Sequence, residues 1–269
     1  MLISKELDEF YKNAAEEKRL TYGLGPLELE RNQELIGRFL PKKGGTLLDV
    51  GGGPGVYSGW LAGLGYKVFL VDPVSKHIQQ AQKRSAKLKK PFKAILGEAR
   101  SLEFEDQSAG LVVLHGPLYH LQKRTDRLAA LKEAYRVLKP GGVLLGFAIN
   151  HSISTLTGLL NGMIHDGQFY EMCLGELATG MHNAPAAWPG ILSEAYFHKP
   201  AQLIEEVQEA GFTGAELFAV EGMIWLDNKY FETRTNAAKK EKMMKLLRQT
   251  EQDQTLLAFS PHMMVCGRK

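Results

Sequence analysis

The chain has 269 residues, with 44% hydrophobic residues, 23% charged residues and a formal net charge of +3. These values are ordinary for a soluble globular protein, and so small a charge gives no reason to expect nucleic-acid binding. Two cysteines cannot form a disulfide framework, no apolar run is long enough to span a membrane, and the charged N-terminus lacks the apolar core of a signal peptide, so we expect a cytoplasmic protein that does not bind membranes.

The first 40 residues predict two helices separated by a break. Apolar residues recur at helical spacing over 6–20 and again over 27–40, whereas residues 22–26 read Tyr-Gly-Leu-Gly-Pro and interrupt the pattern. We expect this segment, residues 1–40, to form a helical lid.

A strand followed by a glycine loop comes next. Residues 46–50 read as a buried strand, and Gly51, Gly53 and Gly55 let the backbone turn sharply and approach a ligand closely. A helix that starts directly after the loop would point its free N–H groups at that ligand. Asp49 is expected to order the loop by accepting its N–H groups.

The second strand ends at Asp72, which can accept hydrogen bonds from ribose hydroxyls or cap the next helix. A phosphate-binding P-loop is excluded, because no Lys-Ser or Lys-Thr follows the glycines. The dinucleotide fingerprint fits only in part, since Gly51 and Gly53 match it but Val56 replaces its third glycine.

Strands and helices then alternate, which predicts a parallel sheet. Predicted strands are 46–50, 67–72, 92–96, 110–114, 143–149, 213–220 and 262–267, and predicted helices include 75–89, 124–138, 200–210 and 236–252. Residues 151–199 interrupt the alternation as an irregular insertion rich in Gly, His, Met and aromatic residues. Insertions of this length are often functional, so we expect a cap over the site.

The run Asp49-x-Gly-x-Gly-x-Gly55 resembles motif I of the class I S-adenosylmethionine-dependent methyltransferases. The resemblance continues through 97–104, 111–121 and 136–142 and covers about residues 45–150. It implies a Rossmann-like three-layer αβα sandwich, whose seven-stranded sheet is mostly parallel with an antiparallel last strand. The methyltransferase domain would span 41–269 and carry the insertion 151–199 as a helical cap.

The resemblance also implies S-adenosylmethionine as cofactor and S-adenosylhomocysteine as product. In the family, the acid at the position of Glu98 contacts the adenine amino group, and the backbone N–H at the position of Ala99 contacts a ring nitrogen. An N-terminal arginine pairs with the methionine carboxylate in some members, and Arg31 is the candidate here, although a surface position is an alternative. The predicted cofactor-binding set is Asp49, Gly51, Gly53, Gly55, Asp72, Pro73, Glu98, Ala99, His115, Tyr22 and Arg31.

Three histidines are candidate general bases. His115 and His151 follow the fourth and fifth strands, whose ends face the ligand crevice, and His120 lies close to His115 in sequence. Alternatively, these imidazoles bond the loop backbone or stack on the adenine. No cluster of ligating residues has metal-site spacing. Candidate substrate contacts are Tyr11, Tyr119, His120, Trp188, Tyr196 and His198.

The sequence therefore predicts methyl transfer to a small organic acceptor. Gly116-Pro-Leu-Tyr119 differs from the [Asn/Asp]-Pro-Pro-[Tyr/Phe] signature of enzymes that methylate amino groups of nucleic-acid bases, which argues against a nucleic-acid acceptor. An NAD(P)-dependent oxidoreductase and a non-catalytic S-adenosylmethionine-binding module remain alternatives. The acceptor, the methylated atom and the oligomeric state are left open.

Overall fold

A β-sheet of seven strands forms the centre of the protein. The computed structural model describes residues 5–42, 44–185, 188 and 191–269. The strands are β1 (Thr46–Val50), β2 (Lys67–Asp72), β3 (Lys93–Leu96), β4 (Ala109–Leu114), β5 (Leu138–Ile149), β6 (Met181–Asn183), β7 (Glu194–Tyr196), β8 (Thr213–Ala219) and β9 (His262–Arg268). The main sheet has the order β3-β2-β1-β4-β5-β9-β8, and β6 pairs with β7 separately.

The pairing confirms the predicted topology. The strands from β1 to β5 pair in parallel in the main sheet. Strand β9 lies between β5 and β8 and runs antiparallel to both. The amino end of β9 therefore lies at the carboxyl edge of the sheet, where the loops after the parallel strands also begin.

Helices cover both faces of this sheet, giving the predicted three layers. They are α1 (Lys5–Asn13), α2 (Gly25–Arg38), α3 (Val56–Gly63), α4 (Ser75–Ser85), α5 (Pro117–His120), α6 (Arg124–Val137), α7 (Ile153–Asn161), α8 (Gly167–Thr179), α9 (Pro200–Glu209), α10 (Tyr230–Thr233) and α11 (Ala237–Thr250). The apolar core on one face includes residues of α2, α3 and α4, and the core on the other includes residues of α6 and α9. Leu47 and Leu48 belong to opposite cores, as strand alternation requires. None of the helices in the described ranges is long and apolar enough to cross a bilayer.

The loops after β1 and β4 start side by side. Val50 pairs with both Val71 and Leu114. Gly51 N donates to Val71 O at 2.7 Å, and His115 N donates to Val50 O at 2.9 Å. At Gly51, φ is +77° and a Cβ atom would lie 2.1 Å from His115 O, so only glycine allows this approach.

The N-terminal helices differ from the prediction. The expected helix over 6–20 ends at Asn13 and is followed by a 3₁₀ helix, Glu16–Thr21. The Lys76 ammonium group is a three-fold donor and caps the end of α1, donating at 2.9–3.0 Å to the carbonyl oxygens of Tyr11, Lys12 and Ala14. This long-range contact cannot be read from local periodicity.

The insertion 151–199 is more regular than expected, because it contains α7, α8 and the β6–β7 pair. The Asp166 side chain caps α8 by accepting from Phe169 N at 2.9 Å. One face of α8 is buried, but exposed apolar residues on another face obscure the helical period; these are Tyr170, Leu174 and Leu177. Residues 1–4 of the predicted lid and residues 186, 187, 189 and 190 of the predicted cap lie outside the described residues.

Candidate active site

A cavity lies at the carboxyl edge of the sheet, next to the ends of β1, β2 and β4. The loops contribute residues 50–54, 71–74, 97–99, 115–117 and 119–121 to its lining. The N-terminal segment contributes Leu7, Tyr11, Glu16, Arg19, Leu20, Glu28 and Asn32, and other lining residues include Tyr57, His77, Phe147 and His262. Ligands of open parallel sheets bind in such a crevice.

Asp49 supports the glycine loop from the buried side. Its carboxylate is fully buried, and Oδ2 accepts from Ser58 Oγ at 2.6 Å. The other oxygen, Oδ1, lies 3.5 Å from His115 Nδ1. Asp49 is not among the residues that line the cavity, and none of the described loop N–H groups donates to it, so it packs against Gly52 instead of making the expected hydrogen bonds.

The three predicted glycines have different surroundings. Gly51 and Gly53 line the cavity, and the space beside Gly53 is open, with no atom within 4 Å of an added Cβ. Gly55 lies outside the lining, and its Cβ would come within 2.6 Å of the Phe92 ring. Gly55 therefore allows close packing between the loop and the core, while the first two glycines border the ligand space.

Asp72 lies at the tip of β2 and faces the cavity, with Pro73 beside it. Its Oδ2 accepts from Gly53 N at 2.9 Å, and its Oδ1 accepts from Val74 N at 2.9 Å. Oδ1 also lies 3.1 Å from His77 Nδ1. The carboxylate thus joins the glycine loop to the start of α4. Because a carboxylate can accept about four hydrogen bonds, it keeps capacity for ribose hydroxyls.

Glu98 and Ala99 also line the cavity, as the sequence placed them. Arg100 holds the Glu98 carboxylate, with its Nε 2.6 Å from Oε2, and also pairs with Asp126 at 3.2 Å. This chain of ion pairs limits the directions in which Glu98 can point. The loop after β3 is therefore ordered before any ligand arrives.

The imidazole of His115 is held between two aromatic rings at the cavity. It stacks on Tyr57 with ring centroids 4.4 Å apart and on Phe147 at 4.1 Å, with interplanar angles of 13° and 17°. Its Nδ1 faces Asp49, and neither ring nitrogen makes a hydrogen bond within the described chain. The stacking fixes the ring plane, and both ring nitrogens are buried.

His120 lines the same cavity but is a weak base. Its Nε2 lies 2.7 Å from the Tyr11 hydroxyl. Burial, with a smaller contribution from the nearby His77, lowers the pKa of His120 to about 3. Burial also raises the pKa of Tyr119, a second lining residue, well above its ordinary value. Both side chains are therefore neutral near pH 7 and can act as hydrogen-bond partners.

His151 and three predicted substrate residues lie away from the cavity lining. His151 Nδ1 lies 3.0 Å from Asn150 Oδ1. His198 is fully buried and lies 3.4 Å from Glu206. Tyr196 and Trp188 also have partners outside the cavity: the guanidinium carbon of Arg127 lies 3.6 Å from the Tyr196 ring centroid, and Trp188 packs on Phe169. These residues were predicted as site residues because the insertion is rich in histidine and aromatic residues. In the structure they pack against residues outside the cavity lining.

Arg31 and Tyr22 are also away from the predicted cofactor contact. Arg31 is completely buried, where its guanidinium pairs with Glu251 at 2.6 Å and with Glu34 at 2.8 Å. Its Nε donates to Val220 O at 3.1 Å, which joins α2 to the end of β8. Tyr22 is 61% exposed. Helical spacing does not reveal which N-terminal arginine faces the cavity.

Arg19 is the N-terminal arginine that faces the cavity. It pairs bidentately with Glu28 at 2.5 and 2.9 Å, and its Nε donates to Glu16 at 2.7 Å. Burial acts to raise the pKa of Glu28, but Arg19 outweighs it, and that pKa falls to about 2.

His262 is a second lining residue that was not predicted from the sequence. The predicted antiparallel direction of the last strand could have indicated it, because such a strand begins at the carboxyl edge of the parallel strands, where the cavity lies.

Residues 48–146 match the family model for a methyltransferase domain. A ubiquinone/menaquinone biosynthesis C-methyltransferase, UbiE, of Neisseria meningitidis is 36% identical over 120 residues, which cover 44% of this chain and 48% of that protein. A ubiquinone biosynthesis O-methyltransferase of Methylobacterium nodulans is 26% identical over 183 residues, which cover 65% and 63% of the two chains. The chain thus spans about half the length of the first of these relatives and less than two thirds of the second.

Solved structures share the fold over most of the chain. A Thermotoga maritima S-adenosylmethionine-dependent methyltransferase, described as a possible histamine N-methyltransferase, has a TM-score of 0.57 at 17% identity and covers 98% of this chain and 99% of its own. A Methanosarcina mazei methyltransferase has a TM-score of 0.59 at 19% identity, with coverages of 87% and 96%. At these identities the likeness shows the fold alone.

We expect Asp72→Asn to weaken the binding of S-adenosylhomocysteine at least tenfold in calorimetry. Hydrogen bonds to a charged group contribute about 1.5–3 kcal/mol, and about 1.4 kcal/mol corresponds to tenfold. Asp106→Asn, which changes an exposed carboxylate paired with Arg136, is the matched control. Melting temperatures should be compared, because Asp72 also holds the loop. Equal affinities in a folded variant would restrict Asp72 to that structural role.

Proposed function

We propose that this chain, which belongs to the class I S-adenosylmethionine-dependent methyltransferases through its domain at 48–146, methylates a small organic acceptor. The observation that carries this proposal is that one cavity contains both the glycine loop with Asp72 and the stacked imidazole of His115. The bound cofactor supplies a methyl group already activated by a positive sulfur. The protein then needs to position the reactants, exclude water and accept one proton.

The residues present fit this cofactor. Gly51 and Gly53 line the cavity, Gly53 leaves open space where a side chain would stand, and Asp72 and Glu98 border the same space. These carboxylates can accept hydrogen bonds from the ribose hydroxyls and the adenine amino group. Arg19 can take the methionine carboxylate in a bidentate pair, which would replace its present contact with Glu28.

His115 is the best placed of the three candidate bases. It is in the cavity, its plane is fixed by two rings, and Asp49 faces the nitrogen opposite Nε2. A hydrogen bond between these two groups, which lie 3.5 Å apart and are not bonded in this structure, would favour the tautomer whose Nε2 accepts a proton. The low pKa of His120 and the position of His151 outside the lining make them poorer candidates.

We propose a phenol-type acceptor, such as a hydroquinone. The curated relatives are named for C- and O-methylation in ubiquinone and menaquinone biosynthesis. Removing a phenolic proton activates both the oxygen and the neighbouring ring carbons, so one base can serve either reaction. Tyr57, Phe147 and Tyr119 give the cavity aromatic side chains that can pack against such a ring.

The N-terminal segment, residues 5–32, is the proposed lid. Tyr11 contacts His120, and Lys76 caps the end of α1, so this helix is attached to the loops at the cavity. The described residues of the insertion 151–199 contribute nothing to the lining. We therefore assign closure over the acceptor to the N-terminal segment.

Binding of S-adenosylhomocysteine should increase hydrogen-exchange protection in α1 and in the Glu16–Thr21 helix, because closing the lid removes their amides from water. The α8 helix of the insertion provides the internal comparison and should change little. Lys76→Met should speed exchange in α1 without ligand. Equal responses in α8 and α1 would contradict this assignment of the lid.

We expect His115→Phe, which keeps an aromatic ring between Tyr57 and Phe147, to lower kcat by about 10²–10⁴-fold, the usual contribution of a general base. Mass spectrometry of products from a panel of phenols, hydroquinones and amines measures the transfer. His151→Gln is the control outside the lining, and calorimetry with S-adenosylhomocysteine and NADH checks the cofactor. Binding of NADH alone would reject the methyltransferase proposal, and full activity of His115→Phe would reject the base.

A further inference from the structure

A second imidazole–carboxylate pair borders the cavity. His262 begins β9, and its register partner Ile149 ends β5, so His262 stands at the carboxyl edge of the sheet. It lines the cavity, whereas Glu221 lies behind it and is 1% exposed. The sequence analysis assigned no role to either residue.

Hydrogen bonds fix the orientation of this pair. Glu221 Oε1 lies 2.7 Å from His262 Nδ1, and Oε2 accepts from His262 N at 2.9 Å. Ser260 Oγ accepts from Glu221 N at 3.2 Å and donates to His262 O at 2.7 Å. The edge of the ring that carries Nε2 therefore points away from Glu221, towards the cavity.

The surrounding charges keep His262 protonated. Ligating atoms of Glu28, Glu221 and His262 all lie within 4.8 Å of one another. Burial acts to lower the pKa of His262, but the carboxylates of Glu221 and Glu28 outweigh it and raise that pKa to about 9, with Arg19 opposing them. Near pH 7 the ring is therefore an imidazolium.

Most polar atoms of this cluster already have partners within the protein. Arg19 occupies both oxygens of Glu28, and Nδ1 and the backbone N–H of His262 occupy those of Glu221. Nε2 of His262 has no hydrogen-bond partner in the described part of the chain. This end of the cavity therefore presents a charged N–H donor, which attracts an anion and disfavours an ammonium group.

We propose that His262 is a catalytic residue that binds the acceptor's nucleophilic atom as an anion, and that Glu221 is its positioning residue. This proposal rests on the proposed function and narrows the acceptor to compounds that react as phenolates, enolates, carboxylates or thiolates. The acceptor proton moves to His115 Nε2. The anion's electron pair forms the bond to the methyl carbon while the carbon–sulfur bond breaks, and that bond's pair stays on sulfur as a neutral thioether.

The test uses paired variants of the full chain. His262→Asn keeps an amide that can donate to Glu221 but removes the distal nitrogen, and Glu221→Gln removes the buried charge. The matched controls are His182→Asn and Glu176→Gln, because His182 Nδ1 lies 2.6 Å from the buried Glu176 outside the cavity lining. Melting temperatures and S-adenosylhomocysteine affinity identify variants that fail to fold.

The probe is 4-nitrophenol in the presence of S-adenosylhomocysteine, since its phenolate absorbs visible light. The wild type should bind the phenolate and lower the pKa of the phenol. His262→Asn should weaken phenolate binding at least tenfold, while S-adenosylhomocysteine affinity stays within about twofold and the controls match the wild type. Absence of phenolate binding by the wild type, or equal binding by His262→Asn, would overturn the proposal.

Stability against pH gives a readout that needs no acceptor. The folded pKa of His262 is about 9, above the ordinary 6.5, so its contribution is complete below pH 6.5 and is lost as pH rises through 9. The wild-type melting temperature should therefore fall over this range, and Glu221→Gln should reduce the fall. An unchanged profile in Glu221→Gln would contradict the positioning role.

Two further outcomes separate this inference from the function on which it rests. Methylation of amines but not phenols by the wild type would keep the methyltransferase and reject the anion site. Stabilisation by zinc chloride that disappears in both Glu221→Gln and His262→Asn would instead assign the three ligating groups to a divalent cation, and this would also overturn the proposal.

Discussion

The site depends on the contact between the glycine loop after β1 and the backbone after β4. A Cβ at Gly51 would lie 2.1 Å from His115 O, so the two loops meet only because residue 51 has no side chain. The same approach puts the His115 imidazole opposite Asp49, which lies under the loop. The cofactor cradle and the proposed base are thus parts of one packed unit, and a change that separates the loops would alter both.

Ion pairs attach the N-terminal segment to the cavity and to the sheet. Arg19, Glu28 and Glu16 bring opposite charges together at the cavity, while Arg31 and Glu251 form a separate buried pair that attaches α2 to the sheet. Removing one member of a buried pair leaves an uncompensated charge, which costs more than the pair contributes. A ligand carboxylate that took Arg19 from Glu28 would keep the guanidinium paired but would leave the buried Glu28 carboxylate with His262 as its nearby cation.

The sequence predicted the fold well because the sheet is encoded locally. β1 and β2 were predicted with their observed bounds. Asp72 lies at the tip of β2 and Glu98 lies in the loop after β3, both at the carboxyl edge of the parallel strands. The choice of Arg31 was wrong, since both Arg19 and Arg31 lie in helical segments and only tertiary packing turns one towards the cavity. His262 lies 147 residues from His115, and only the antiparallel direction of β9 brings them to one edge.

The imidazoles of His115 and His262 differ in their surroundings, and this difference separates their proposed roles. His115 lies between neutral rings, with the Asp49 carboxylate 3.5 Å away, an environment suited to a ring that accepts and releases a proton. His262 lies 2.7 Å from a buried carboxylate with a second one close by, which holds its charge permanently near pH 7. A proton acceptor and a cation in one cavity favour the anionic form of an acceptor that contacts both, because one takes the proton while the other stabilises the charge left behind.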